Sequence, residues 1–205
     1  MQGFIIEFRA VRDEDLIVTI LCEDRIITAY RFYGARHSHI NIGFKIDFEL
    51  EDSYKSDIPR LKDVLSLGFA WSFDRQKLFL WQNFVKLFYN HLKDIDEIES
   101  FYFEILTDIS KKINKQNPKR AMIEAYVKLL EFEGRLDYSF VCLMCQQFIP
   151  DELSLIRGFV ATHSRCSYSN SFDKTAISYL FVYKQTIKLE DKDIDRLWNI
   201  LLLGF

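Results

Sequence analysis

The chain is poor in glycine and proline, with 7 glycines and 3 prolines among its 205 residues. It contains no glycine-rich loop of the kind that cradles phosphates in nucleotide-binding enzymes. The H-E-x-x-H and G-x-S-x-G motifs of zinc proteases and serine hydrolases are missing too. These absences argue against the commonest catalytic machinery, and we therefore expect a protein that is not an enzyme.

Long apolar runs are also missing. No run approaches the roughly 20 residues that a membrane span needs, and residues 1–7 lack the basic start of a signal peptide. We expect a cytoplasmic protein that does not associate with membranes. The formal net charge of −3 argues against indiscriminate nucleic-acid binding, although net charge hides how the charges are distributed.

Cysteine is scarce, but three of the 4 cysteines stand in one region. Cys142 and Cys145 form a C-x2-C pair, His163 and Cys166 form an H-x2-C pair, and seventeen residues separate the pairs. Two ligand residues separated by two others can direct their side chains to one metal ion from a tight turn, called a knuckle. Two knuckles together supply the four ligands of a tetrahedral site. The spacing predicts one structural zinc ion, and a reducing compartment favours metal over disulfides.

Three alternatives to a closed structural site are open. The cysteines can be small buried hydrophobic residues, with His163 an ordinary surface residue. A C-x-x-C redox pair is the second alternative, although the βαβ setting typical of such pairs is not visible. The third is a zinc hydrolase, which needs an open coordination position that a complete Cys3His shell does not leave.

The N-terminal part of the sequence predicts a β module. A hydrophobic fraction of 49% with 16% aromatic residues indicates a substantial packed core. Alternating and β-branched segments predict strands over residues 3–9, 16–22, 25–33, 43–50 and 61–69. Five short antiparallel strands fit a small barrel, of which the OB-fold is one choice among several.

From Asp74 the apolar period changes to three and four residues, which predicts amphipathic helices up to residue 92 and over 98–113. Asn117 and Pro118 mark the N-cap and first position of a third helix, and Gly134 marks its end. Two final helices are predicted over 173–183 and 191–203. The fold class is therefore α+β, with a β module at 1–72 and a helical domain at 73–205 that contains a zinc finger at 140–168.

Positive charge is concentrated in a stretch without acidic residues, 25–46. Cations neutralise phosphates and aromatic rings stack on bases, so this stretch predicts a groove for single-stranded nucleic acid. The alternative is that alternate aromatic residues face the core while the charges are solvated. The candidate nucleic-acid-binding residues are Arg25, Arg31, Tyr33, Arg36, His37 and Lys45.

A second stretch without acidic residues, 111–120, spans a helix end and its loop. Lysines at a helix C-terminus are favourable on dipole grounds alone. Charge runs of this kind also form contacts with phosphates or protein tails. The candidates here are Lys111, Lys112, Lys115, Lys119 and Arg120.

Several segments together resemble the bacterial RecO family of recombination mediators. Residues 1–6, 14–21, 33–36 and 43–50 are similar to that family's N-terminal OB-fold. Residues 124–134 leading to the C-x2-C pair, and 157–159 leading to Cys166, are similar to its helical domain with zinc finger. The resemblance covers essentially the whole chain, and the ordered combination is what makes it specific.

The resemblance implies a non-catalytic DNA-repair protein with an OB-fold over 1–72. Family members bind single- and double-stranded DNA, anneal complementary strands, engage the C-terminal tail of single-strand-binding protein, and work with RecR to load the RecA recombinase. We expect a monomer when the protein is alone. The alternative is a protein-interaction adaptor that binds no DNA by itself. The residues that match the family's motif arginine and zinc ligands are Arg36, Cys142, Cys145, His163 and Cys166, with His163 standing where members usually have cysteine.

Overall fold

The first five strands of the computed structural model, which describes residues 1–36, 39–53 and 56–205, close into a barrel. The strand order around the barrel is β1-β2-β3-β5-β4, and β1 pairs with β4 to close it. β3 and β5 are parallel, whereas the other neighbours are antiparallel. This is the five-stranded Greek-key barrel of an OB-fold. The strands are β1 (Gln2–Ala10), β2 (Leu16–Leu21), β3 (Ile26–Arg31), β4 (Lys45–Glu51) and β5 (Arg60–Ser66).

The barrel forms because alternate residues of each strand are apolar and point inward. Val18 and Ile20 of β2 meet Ala29 of β3 and Ile46 of β4 in one buried cluster, all with no exposed surface. Phe48 of β4 closes the cluster at 1% exposure. The barrel interior is therefore filled by side chains.

Two helices follow the barrel, α1 (Arg75–His91) and α2 (Phe101–Lys112). Asp74 is the N-cap of α1, and its carboxylate accepts hydrogen bonds from the amides of Gln76 and Lys77 at 3.0 and 3.1 Å. Trp81 of α1 donates its indole N–H to the carbonyl of Gly43 at 2.8 Å, directly before β4. Gly43 has φ +82°, and a Cβ there would lie 2.5 Å from the Trp81 indole nitrogen, so only glycine fits.

The chain divides into two compact units, Met1–Asn114 and Lys115–Phe205, and α1 and α2 group with the barrel in the first. The domain boundary that we predicted after residue 72 follows the change of sequence pattern and stays a prediction. None of the helices in the described part of the chain combines the length and apolarity that a bilayer crossing needs.

The second unit is mainly helical. Its first helix begins as predicted, since the Asn117 side chain accepts from the amide of Lys119 at 3.0 Å, and it ends before Gly134, which has φ +67°. The strands β6 to β8 form a small sheet in the order β7-β6-β8, which the sequence did not predict. The elements are α3 (Pro118–Phe132), β6 (Glu152–Ile156), β7 (Val160–Thr162), α4 (Ser164–Ser167), β8 (Phe172–Asp173), α5 (Lys174–Tyr183) and α6 (Asp191–Leu201).

Candidate metal centre and nucleic-acid interface

Cys142 and Cys145 lie on a tight turn between α3 and β6. The turn is closed by an antiparallel bridge between Val141 and Phe148 and by a hydrogen bond from the Cys142 amide to the Gln147 carbonyl at 2.9 Å. The amide of Leu143 donates to the carbonyl of Ala161 on β7 at 3.1 Å. This last bond ties the first knuckle to the strand that leads into the second.

The second knuckle begins where β7 ends. His163 is the N-terminal flanking residue of the short helix α4, and its carbonyl accepts from the amides of Cys166 and Ser167 at 3.0 and 3.2 Å. This turn brings the side chains of His163 and Cys166 to the same side. The strand β7 and the helix α4 therefore position the second pair of ligands opposite the first.

The four side chains meet at one point. The three sulfur atoms and one ring nitrogen all lie within 4.8 Å of one another. Nδ1 of His163 is 3.4 Å from the Cys145 sulfur and 3.9 Å from the Cys166 sulfur. Zinc–sulfur bonds of about 2.3 Å and zinc–nitrogen bonds of about 2.0 Å in a tetrahedron place such ligands roughly 3.5–3.8 Å apart. The cluster can therefore hold one metal ion.

The electrostatics of the cluster favour a bound cation. Burial raises the pKa of the Cys142 thiol, but amides of His163, Cys145 and Met144 directed at its sulfur outweigh this and lower the pKa to about 6. The His163 amide lies 3.3 Å from that sulfur. Burial and the neighbouring sulfurs of Cys142 and Cys145 raise the pKa of Cys166. Thiolates this close repel one another unless a cation lies between them.

The chemistry of the donor set also fits a metal. Three sulfurs and one imidazole are the soft and borderline ligands of closed tetrahedral sites, whereas hard cations prefer oxygen. The fourth cysteine, Cys22, is not a member of the cluster and is buried in the barrel core, where burial raises its pKa to about 12. It is a core residue and not a ligand.

The predicted basic residues of the β module are only partly available to a ligand. Arg25 forms an ion pair with Asp24 at 2.7 Å, and Arg36 pairs with Glu14. Arg31 donates to the carbonyl of Leu61 at 2.8 Å. These arginines therefore stabilise the barrel and its loops as well as carrying charge.

Tyr33, the predicted aromatic contact, lies at the surface. Tyr33 is 57% exposed, and the guanidinium of Arg36 lies 5.0 Å from its ring centroid. His37 lies outside the described residues. An exposed ring with a cation over it is an arrangement suited to base stacking.

Lys45 is positioned differently from the arginines. Its ammonium group lies over the rings of Phe4 on β1 and Phe103 on α2, 5.5 and 4.8 Å from their centroids. Burial lowers the pKa of Lys45, and the charge of Lys111 acts in the same direction. The fold therefore brings together Lys45 and Lys111, which the sequence placed in two separate basic stretches.

The remaining predicted cations lie around the end of α2 and the start of α3. Lys111 and Lys112 occupy the last turn of α2, and Lys115 is exposed. Lys119 forms an ion pair with Asp195 at 2.7 Å. Arg120 donates to the carbonyl oxygens of Thr186 and Leu189 and to Asp191, at 2.7, 3.0 and 2.7 Å. Lys119 and Arg120 thus brace the second unit.

The sequence did not identify the side chains that contact the predicted basic residues. These contacts decide which of the basic residues can bind a ligand. Phe103 lies on α2, nearly sixty residues after Lys45, and nothing in the sequence around it indicates that its ring contacts a lysine. Asp191 and Asp195 stand on α6, far along the chain from the cations that they bind. Only proximity in the folded chain identifies these partners.

Residues 1–72 match the family model described as RecO N terminal. No curated protein matches the chain. The matched residues cover the whole five-stranded barrel, so the resemblance drawn from residues 1–6, 14–21, 33–36 and 43–50 is confirmed there. Residues 1–72 are therefore an N-terminal domain of the type found in RecO, a family of DNA repair and recombination proteins.

Proposed function

We propose that the protein is a non-catalytic recombination mediator that binds and anneals DNA. The observation that carries the proposal is the match of residues 1–72 to the RecO N-terminal domain on a closed OB-type barrel. OB-folds commonly bind oligonucleotides. In this proposal residues 1–72 form the nucleic-acid-binding barrel, while residues 73–205, with the finger at 140–168, bind protein partners and add the basic contacts between Lys111 and Arg120.

Lys45 and Lys111 form the proposed centre of the DNA contact. The two ammonium groups repel each other, and a phosphate between them relieves that repulsion. The exposed Tyr33 ring supplies a surface for a base. The other proposed contacts are Arg25, Arg31, Arg36, His37, Lys112, Lys115, Lys119 and Arg120.

The DNA contact is tested by replacing both lysines. Lys45→Ala with Lys111→Ala should weaken binding of a fluorescent single-stranded oligonucleotide at least about tenfold at low salt. A variant with Lys86→Ala and Lys128→Ala carries the same change of charge on other helical surfaces and should change affinity much less. Equal affinities for the two variants would contradict the proposed centre.

The proposed metal is zinc, in a structural role, held by Cys142, Cys145, His163 and Cys166. Four protein ligands complete the tetrahedron, so no position stays open for water or substrate. Metal analysis of purified protein should find about one zinc per chain. Water bound to the zinc, detected by X-ray absorption, would contradict the closed site and favour a hydrolase.

The proposed partners are single- and double-stranded DNA, RecR and the C-terminal tail of single-strand-binding protein, with loading of RecA as the outcome. The proposed location is the cytoplasm, and the proposed state of the isolated protein is a monomer. These follow from the family and the resemblance. A strand-annealing assay with and without RecR and single-strand-binding protein tests them together.

A protein-interaction adaptor is the second candidate. The observation that favours it is that Arg25, Arg36 and Lys119 are already paired with carboxylates, in a chain of net charge −3. Paired cations release less counterion when DNA binds. A gel shift that appears only when RecR is present would support the adaptor over independent DNA binding.

A further inference from the structure

An acidic segment lies against the outer surface of the barrel. Residues 92–98, which we call the strap, follow α1 and run beside β3. The amide of Ile26 donates to the carbonyl of Asp96 at 2.8 Å, and the amide of Ile98 donates to the carbonyl of Asp24 at 3.0 Å. Arg25 and Glu97 form an antiparallel bridge between these two bonds. The strap is therefore attached by main-chain hydrogen bonds to the first residue of β3 and to the turn before it.

The strap covers the surface on which OB-folds commonly bind oligonucleotides, the face of strands 2 and 3. A cavity of about 460 Å³ lies beneath it. One wall is built from β1, β2 and β3, including Thr19 and Thr28, and the other from residues 89 and 92–96. Ile95 is 44% exposed, so the strap is not fully packed down.

The charges around this cavity oppose phosphate. Its lining contains three carboxylates and two cations, which are Glu7, Asp94, Asp96, Arg9 and Lys93. Arg25, a predicted DNA contact, is paired with Asp24 and also interacts with Glu97 of the strap. The strap thus places negative charge where nucleic acid would lie and near a cation that nucleic acid would use.

We infer that the strap is an autoinhibitory segment that competes with single-stranded nucleic acid for the β2–β3 face. The inference rests on the proposed DNA binding and adds a regulation to it. DNA first contacts the protein around Lys45 and Lys111, and saturating DNA then displaces the strap from the β2–β3 face. When the strap leaves β3, the β2–β3 face becomes available and the negative charge of Glu97 moves away from Arg25, so the binding surface grows.

Neutralising the strap tests this inference. Asp96→Asn with Glu97→Gln should tighten binding of a single-stranded oligonucleotide at least about fivefold at low salt, and the gain should shrink as salt screens the charges. Asp63→Asn with Asp151→Asn changes the net charge equally at exposed positions that are not part of the strap, and should change affinity by less than about twofold. Equal gains in the two variants would overturn the inference.

Hydrogen exchange of the parent protein gives a second, independent result. The Ile98 amide is protected by its bond to Asp24, so saturating oligonucleotide should speed its exchange. Unchanged protection would show that DNA binds without moving the strap and would overturn the inference.

The outcomes distinguish the two proposals. If the parent binds DNA through Lys45 and Lys111 but the strap variant behaves like its control, only the inhibitory role of the strap is disproved. If neither the parent nor any variant binds DNA, both the proposed DNA binding and the inhibitory role of the strap are disproved.

Discussion

At the scale of single residues, hydrogen bonds to carboxylates organise the loops beside the basic stretch. Asp15 accepts from the hydroxyl of Tyr30 at 2.5 Å and from the amide of Tyr33 at 2.7 Å. These bonds, the tyrosine hydroxyl first, lower the pKa of Asp15 below its usual value of 3.8. Tyr33 has φ +50°, a strained value for a tyrosine, so the hydrogen bond that its amide donates to Asp15 helps to hold this backbone conformation.

Asp15→Asn should therefore lower thermal stability at pH 7. A carboxyl whose pKa is lowered by folding stabilises the native state above its unfolded pKa, and this contribution is lost as pH falls through the folded pKa. The difference in Tm between parent and variant should accordingly shrink below about pH 4. A difference that stays constant from pH 7 to pH 3 would show that the ionised carboxylate is not what matters.

Removing one metal ligand is the second prediction at this scale. Cys145→Ser should release the metal and destabilise the second unit, because a structural ion contributes its binding energy to folding. Cys22→Ala is the matched control, since Cys22 lies in the barrel core and is not a member of the cluster. Metal content and thermal unfolding of both variants check this. Retention of a full equivalent of metal by Cys145→Ser would remove Cys145 from the ligand set.

At the scale of elements, local sequence signals identify the helices well. Asp74, Asn117 and Asp173 each cap a helix with their side chains. Asn117 was predicted as an N-cap, and the other two stand where the helical patterns begin. The small sheet was not predicted because β7 and β8 span only three and two residues. Strands this short are defined by pairing with β6, and pairing partners are not visible in the sequence.

Removing the cap of α1 should cost stability. Asp74→Ala loses the two hydrogen bonds to the amides of Gln76 and Lys77 and should lower the free energy of unfolding by about 1 kcal/mol. Lys86→Ala in the exposed part of the same helix is the control and should stay within about 0.5 kcal/mol of the parent. Urea unfolding measures both. Equal effects would mean that the cap does not limit the stability of α1.

At the scale of the whole molecule, the candidate sites divide between the two compact units. Met1–Asn114 contains the barrel with Lys45 and Lys111, and Lys115–Phe205 contains the metal cluster. A chelator should therefore increase hydrogen exchange at the amide of Leu143, which is bonded to Ala161, while the amide of Ile5, bonded to Phe44 in the barrel, keeps its protection. Equal loss at both amides would show that the metal supports the whole chain.

The clustering of the four candidate ligands was predictable from the sequence, but the availability of the cations was not. The four residues stand in two pairs whose spacing predicts two knuckles, and the structure brings their potential ligand atoms within 4.8 Å of one another. The pairing of Arg36 with Glu14, or of Lys119 with Asp195, depends on tertiary structure. The contact of Lys45 with Phe103 and its electrostatic interaction with Lys111 depend on it as well.

The affinity of the parent protein for a fluorescent single-stranded oligonucleotide, measured across a series of salt concentrations, tests the central claim most directly. Binding through phosphates predicts that log K falls linearly with log salt, and replacing Lys45 and Lys111 by alanine should reduce the slope by roughly 1.4. An absence of binding by the parent at low salt, or a slope that the double variant leaves unchanged, would contradict the account.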